Sequence, residues 1–251
     1  MKFIGIDLAW TYKNETGLCV MDDTGNVLYL DAQVYSDEAL VEKILEYGHD
    51  DLCVAVDAPL VIANQTGARE ADRLVTRARF HGHRLMLFMA NRSFFEKTYG
   101  GIRGEVLSTK IKASVLNQLS KPIHFDFVAQ DGKSVLVETF PTGIYCGLFP
   151  ELYPAPYKIK GRLPYKESHD NLHKILRRLC ALEDDFDMTG IKDHFDIEGQ
   201  SIKRKDHKHI EDKLDAFLSA YGLFAIYKEK ATAHCFGEIH DGFITIPVSK
   251  T

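Results

Sequence analysis

Cysteine is scarce in this chain and poorly placed for covalent or metal work. The five present (Cys19, Cys53, Cys146, Cys180, Cys235) are odd in number, widely spaced and form no CxxC pair. That pattern excludes a zinc knuckle and indicates no disulfide framework. Most are read as small buried hydrophobes. No apolar run is long enough to span a bilayer. The opening Met1-Lys2-Phe3-Ile4-Gly5 runs straight into a strand pattern and lacks a signal-peptide layout. No membrane partner and a cytoplasmic location are therefore expected. There is no internal repeat and no low-complexity stretch. Positive charge is also short: the net charge is −5, which argues against a general nucleic-acid binder. The shortage is uneven, because ten Lys or Arg face only four Asp or Glu between Ala58 and Lys112, a local excess of +6 that leaves −11 elsewhere. Such a block reads either as a local handle for a polyanionic ligand or as a solvated helical face.

What the chain does have is three apolar runs that end on a carboxylate. They are Phe3-Ile4-Gly5-Ile6-Asp7, Cys53-Val54-Ala55-Val56-Asp57 and Val135-Leu136-Val137-Glu138. Each is short and β-branched, as a strand buried on both faces must be. Parallel strands of an open α/β sheet bring their carboxyl ends to one edge, where ligand crevices form. Three acids meeting there repel one another unless a cation sits among them. Hard oxygen donors without thiolates point to Mg2+ or Mn2+.

The patterning around these runs predicts one α/β domain over residues 1–251, a length and a 45% hydrophobic content that suit a single large core. Residues 2–9, 16–21 and 27–34 read as an antiparallel meander, turned at Asn14–Gly17 and at Asp22-Asp23-Thr24-Gly25-Asn26. Ser36 reads as the cap of a crossover helix leading into a parallel strand at Leu52–Asp57. A basic, largely helical insertion covers about 58–130, followed by a fifth strand at Val135–Phe140. An irregular excursion covers about 150–205, where four prolines fall between Pro150 and Pro164. A late helix, Ile210–Tyr227, and a closing hairpin turned at Asp241-Gly242 end the pattern. The expected sheet has five strands in the order 3-2-1-4-5, flanked by helices.

That layout is the one found in the ribonuclease H fold, and the motifs make the resemblance specific. Ile4-Gly5-Ile6-Asp7 with Trp10 and Thr16-Gly17, Val54-Ala55-Val56-Asp57-Ala58-Pro59, Arg69 with Asp72, Val137-Glu138-Thr139-Phe140-Pro141, and Asp212-x-x-Asp215-Ala216 with Ala220-Tyr221 follow one another in order. In these pieces the chain resembles a family of predicted ribonuclease H-like nucleases known as domain of unknown function 429. The resemblance implies two divalent ions held by Asp7, Asp57, Glu138 and Asp215, with Asp212 as a further ligand. Two such ions about 4 Å apart activate a water and stabilise the leaving oxygen of a phosphodiester. The implied activity is metal-dependent hydrolysis of DNA, RNA or a small phosphoester.

Several further residues are read two ways. Arg69, Arg73 and Arg77 either clamp phosphates or pair with acids one turn away; the family motif favours function for Arg69. Lys158 and Lys160 either reach the site or solubilise a loop. Trp10 either stacks on a base or packs. Lys203-Arg204-Lys205 with His207, Lys208 and His209 either contacts a nucleic-acid backbone or is solvated. Two other classes remain open. One is an ATP-handling protein of the actin, heat-shock-chaperone and sugar-kinase type, although 251 residues are short for the two cores that class needs. The other is a non-catalytic binding module on the same scaffold. Nothing in the residues speaks to oligomeric state.

Overall fold

A computed structural model describes residues 1–159, 163–186, 188–195 and 202–250. Lys160, one of the two loop lysines expected near the site, lies outside the described residues. The first three strands, β1 (Lys2–Asp7), β2 (Thr16–Asp22) and β3 (Val27–Gln33), form the antiparallel meander. Helix α1 (Asp37–Leu45) begins where the Ser36 hydroxyl accepts the Ala39 N–H at 3.1 Å, which satisfies one of the orphan donors of a helix start. It carries the chain over to β4 (Leu52–Val56), which lies parallel to β1.

The basic insertion holds three helices: α2 (Glu70–Arg77), α3 (Arg92–Tyr99) and α4 (Arg103–Leu119). Then come β5 (Ile123–Phe125), β6 (Ser134–Glu138) and α5 (Pro141–Leu148). Pro141 starts this helix, where its missing N–H costs nothing. The excursion contains α6 (Tyr165–Cys180), α7 (Leu182–Phe186) and α8 (Lys192–Phe195). The long α9 (Arg204–Tyr227) and a hairpin of β7 (Ala231–Glu238) and β8 (Gly242–Ser249) complete the chain. Among the described residues no helix is long and apolar enough to cross a membrane.

The expected five-stranded sheet in the order 3-2-1-4-5 is corrected by this topology. The sheet has six strands in the order β3-β2-β1-β4-β6-β5. The run ending at Glu138 lies beside β4, and β5 pairs with it in parallel at the far edge. Three residues following Pro122 are too few to show a period-2 pattern, so this strand exists only by virtue of the neighbour it pairs with.

Side-chain alternation explains why the runs look continuously apolar. Phe3, Cys19, Met21, Ala55 and Val137 enter one core, shared with α5, α6 and α9. Ile4, Ile6, Leu18, Val54 and Leu136 enter the other, against α1 and α4. Both faces are covered, so both alternating sets must be apolar. The position of α9 depends on glycine. A Cβ on Gly5 would clash with the Ala216 carbonyl, and one on Gly17 with the Asp212 carbonyl. Only bare backbone lets the helix lie this close to β1 and β2, and that closeness delivers its acids to the strand ends. We predict that Gly17→Ala lowers unfolding stability by about 1–3 kcal/mol through overpacking, read as a reduced urea midpoint. An unchanged midpoint would show that α9 has room to retreat.

Candidate functional site

Asp7 is the last residue of β1, and Asp57 directly follows the last residue of β4. The Asp57 N–H donates to the Ile6 carbonyl at 2.8 Å, which locks the two strand ends in register. Asp215 arrives from the opposite side on α9. One carboxylate oxygen from each of Asp7, Asp57 and Asp215 lies within 4.8 Å of the others. Burial pushes the Asp7 carboxyl well above its usual range, and the nearby Asp215 and Asp57 push it further. Asp57 is raised to about 7, again by burial first, with Lys158 opposing and Asp215 and Glu138 adding to it. These are acids held together against their mutual repulsion.

Lys158 supplies part of the compensation. Its Nζ lies 2.5 Å from Asp215 Oδ2. Burial alone would lower the Lys158 pKa, but Asp215, Asp7 and Asp57 outweigh it and hold the ammonium charged. The neighbouring Tyr157 hydroxyl donates to Asp215 Oδ1 at 2.5 Å. Asp212 stands beside Asp7. Burial raises its pKa, while Lys208 and a side-chain hydrogen bond with Asp7 oppose the rise. Lys208 pairs with both Asp212 and Glu211.

Glu138 and Arg69 are arranged differently from the sequence expectation. Glu138 ends β6 and is 2% exposed. Its oxygens accept from Arg69 Nη2 at 2.6 Å and Nη1 at 3.0 Å, and from the Leu60 N–H at 2.8 Å. Arg69, 3% exposed, also donates to Asp72 and to the Val61 carbonyl. Asp72 in turn accepts the Ala90 N–H at 2.8 Å. Every N–H of this guanidinium is engaged, so it offers substrate no free donor. Glu138 lines the cleft, but among the described residues the acids brought into one group are Asp7, Asp57 and Asp215. Arg73 pairs with Glu70 at 2.8 Å on the exposed face of α2.

A cleft of about 260 Å3 opens over the acids, walled by Trp10, Phe88, Arg69 and Glu138. Trp10 packs edge-on against Phe88, Phe95 and Tyr99, with centroids 5.0–5.5 Å apart. It is a wall braced from behind. On the other side of Asp7 a second cleft of about 460 Å3 is lined by Lys13, Lys205, Lys208, His209 and Asp212. The basic cluster before the late helix thus belongs to α9 itself, which starts six residues earlier than its apolar stripe announces.

The sequence model of the family described as "Protein of unknown function (DUF429)" matches residues 5–238. The chain belongs to this family. No curated protein matches the chain, and neither does any solved structure. The DUF429 match spans Asp7, Asp57, Arg69, Glu138, Asp212 and Asp215, so the whole acid group lies within the family's extent.

Sequence reasoning did not assign Tyr157, Lys208 or Glu211 to the site of this DUF429 protein. Glu211 is 5% exposed and accepts the Ile159 N–H at 3.4 Å. The signal for it was available: Glu211 and Asp215 are four apart and share a helix face. For Tyr157 no local pattern exists, because a loop residue reaches Asp215 only through the tertiary fold.

The raised acids carry a pH consequence. The folded state holds a proton on Asp57 up to about pH 7, whereas the unfolded chain releases it near the ordinary carboxylate value of about 4. Unfolding therefore releases this proton between those limits, and the site's contribution to stability falls as pH rises through that window. We predict that Asp57→Asn gains stability over wild type as pH climbs from 4.5 to 7.5 in chelator, with little difference at 4.5. Thermal unfolding of both proteins across that range checks it; parallel curves would refute it.

Proposed function

We propose that this protein is a metal-dependent phosphodiester hydrolase on a ribonuclease H-like scaffold, acting on nucleic acid or a small phosphoester. The observation that carries the reading is the convergence of Asp7, Asp57 and Asp215, from two strand ends and a helix, within 4.8 Å. The donor set fits Mg2+ or Mn2+. It is all carboxylate oxygen, and ligand atoms about 2.1 Å from a six-coordinate ion lie about 3–4.2 Å apart. Asp7, Asp57 and Asp215 would hold the ion, with Asp212 next in reach. When bound, it supplies water activation and charge stabilisation on the leaving oxygen. The meander, the crossover to β4 and the acids at the ends of β1 and β4 support the scaffold assignment.

The chain's own groups have separate roles in this reading. Tyr157 orients the Asp215 carboxylate through its hydroxyl. Lys158 balances the acid charge and stands where a phosphate oxygen would arrive. Asp212 stands beside Asp7, and the hydrogen bond between their side chains opposes the rise that burial gives the Asp212 pKa. Arg69 keeps Glu138 fixed as a cleft wall. The test is a cleavage screen over single- and double-stranded DNA, RNA and a small phosphodiester, with Mg2+, Mn2+ or chelator. Cleavage that requires the metal supports the reading, and turnover indifferent to chelator rejects it.

One observation favours a second reading, a binding module without turnover: the Lys158 ammonium already neutralises the acids from within. That reading requires ligand affinity unchanged by chelator and no cleavage with either metal.

A further inference from the structure

A third cavity, of about 440 Å3, opens beside the acid cleft. Its walls are Met86, Tyr145, Tyr153, Pro154, Pro156 and Tyr157, with Arg84 and Lys158 at its rim. Two of the tyrosines are committed at their polar ends. Tyr145 donates to the Leu152 carbonyl at 2.8 Å, and Tyr157 donates to Asp215. Tyr145 meets Tyr153 and Tyr157 edge-on, at 5.7 and 5.8 Å. Tyr145 and Tyr157 are buried, so the surface these walls present is the half-buried Tyr153 ring with the exposed Pro154, Pro156 and Met86.

Two features tie the cavity to the acid group. The first is Tyr157-Lys158, both of which touch Asp215. The second is the extended segment 84–88, whose burial alternates. Leu85 is fully buried and Leu87 half-buried, while Arg84, Met86 and Phe88 face outward. Met86 lines the tyrosine cavity and Phe88 lines the acid cleft beside Trp10. Met86 is 76% exposed and Phe88 41%. Phe88 braces Trp10, Phe94 and Phe95 on one side yet stays open on the other, and together with Met86 it edges two neighbouring cavities. Such exposed apolar surface marks a contact site. Arg84 carries no hydrogen bond or ion pair among the described residues, which leaves a planar cation free at the rim.

We propose that this cavity takes one unpaired nucleobase of the ester whose phosphate lies at Asp7, Asp57 and Asp215. The ligand chemistry is then a nucleoside phosphate with its base unstacked, supplied by a single strand or by a lone nucleotide. A duplex holds both faces of each base against its neighbours and cannot offer one to the Tyr153 ring and the proline and methionine surface beside it. Ring and guanidinium faces accept any base, so the site discriminates base from no base, and unpaired from paired, without reading sequence. The inference rests on the hydrolase reading for the position of the phosphate.

Binding tests it without turnover, with Ca2+ as the only divalent ion. The probes are a fluorescein-labelled eight-nucleotide single strand and the same strand annealed to its complement. The competitors are adenosine 5′-monophosphate and ribose 5-phosphate. The expected result is single strand over duplex by about tenfold or more, and the adenosine competitor over its base-free analogue by a similar factor. Which source dominates is read from whether the strand outbinds the mononucleotide. Met86→Ala changes an exposed side chain and leaves the fold intact. It is expected to shrink the base-dependent ratio about fivefold or more while ribose 5-phosphate affinity stays put. Equal affinity for the two competitors, preference for duplex, or no saturable binding of any probe overturns the proposal. Failure of the hydrolase reading looks different: no cleavage with Mg2+ or Mn2+, with base-dependent binding retained.

Discussion

Asp7→Asn is expected to remove metal-dependent hydrolysis by about 10³-fold or more and, in chelator, to make the protein more stable at pH 7.5. The two halves have one cause. Burial and the charges of Asp215 and Asp57 hold the Asp7 carboxyl well above its usual pKa. The ionised form is therefore unfavourable in the folded state, and folding is opposed as pH rises above the unfolded value of about 4. Asparagine has the same shape and no charge. Its amide can still donate to Asp212, the partner Asp7 now has. The substitution thus relieves repulsion while removing a hard anionic donor. The stability gain should shrink toward pH 4.5, close to the unfolded value of about 4, where most of the pH-dependent difference between the two states has gone. Thermal unfolding at both pH values, beside a cleavage assay, checks the pair. A variant that loses stability at pH 7.5 would mean that Asp7 is held by favourable contacts, and the case for a strained acid site would fall.

The largest structural effect is expected at Arg69. Arg69→Met should cost about 3–5 kcal/mol, because it leaves two buried carboxylates, Glu138 and Asp72, without their countercharge. Urea unfolding measures it. If the variant does not fold at all, Arg69→Met combined with Glu138→Gln and Asp72→Asn provides the control. Neutralising all three members should recover much of the loss, since the cost lies in the uncompensated charge rather than in the missing guanidinium. Glu138→Gln alone separates a wall from a ligand. With Glu138 engaged by Arg69 and the Leu60 N–H, it should lower stability but leave Mg2+ affinity within about threefold, under 1 kcal/mol. A fall in affinity as large as that of Asp57→Asn would instead place Glu138 among the ligands, as the family resemblance implies.

The route from residues to site was legible where a local pattern carries the physics. Strands buried on both faces must be continuously apolar, so Ile4-Gly5-Ile6 and Val54-Ala55-Val56 announced themselves and their terminal acids. Asp212 and Asp215 were legible through helical spacing. The edge strand Ile123–Phe125 was not, since three residues carry no period and gain strand geometry only from β6. The start of α9 was hidden because its first turns are polar and basic, with no apolar stripe to reveal them.

The glycines show the same division. Gly5 and Gly17 in the sequence are simply small residues in strands. Only the packed helix reveals that their missing Cβ atoms set how near Asp212 and Asp215 come to Asp7. Arg69 was a plausible phosphate clamp by residue type and family motif. Tertiary packing closed it off by surrounding its five donors with Asp72, Glu138 and Val61.

By itself, then, the sequence determined that acids stand at the ends of buried strands, because hydrophobic period and residue order are local properties of the chain. The tertiary structure alone decided which of those acids keep open oxygens and which are neutralised. That depends on which cation folds against each one: Lys158 reaching in from a loop beside Asp215, Arg69 closing on Glu138. Contacts between residues 57 or 69 positions apart leave no trace in any window short enough to read.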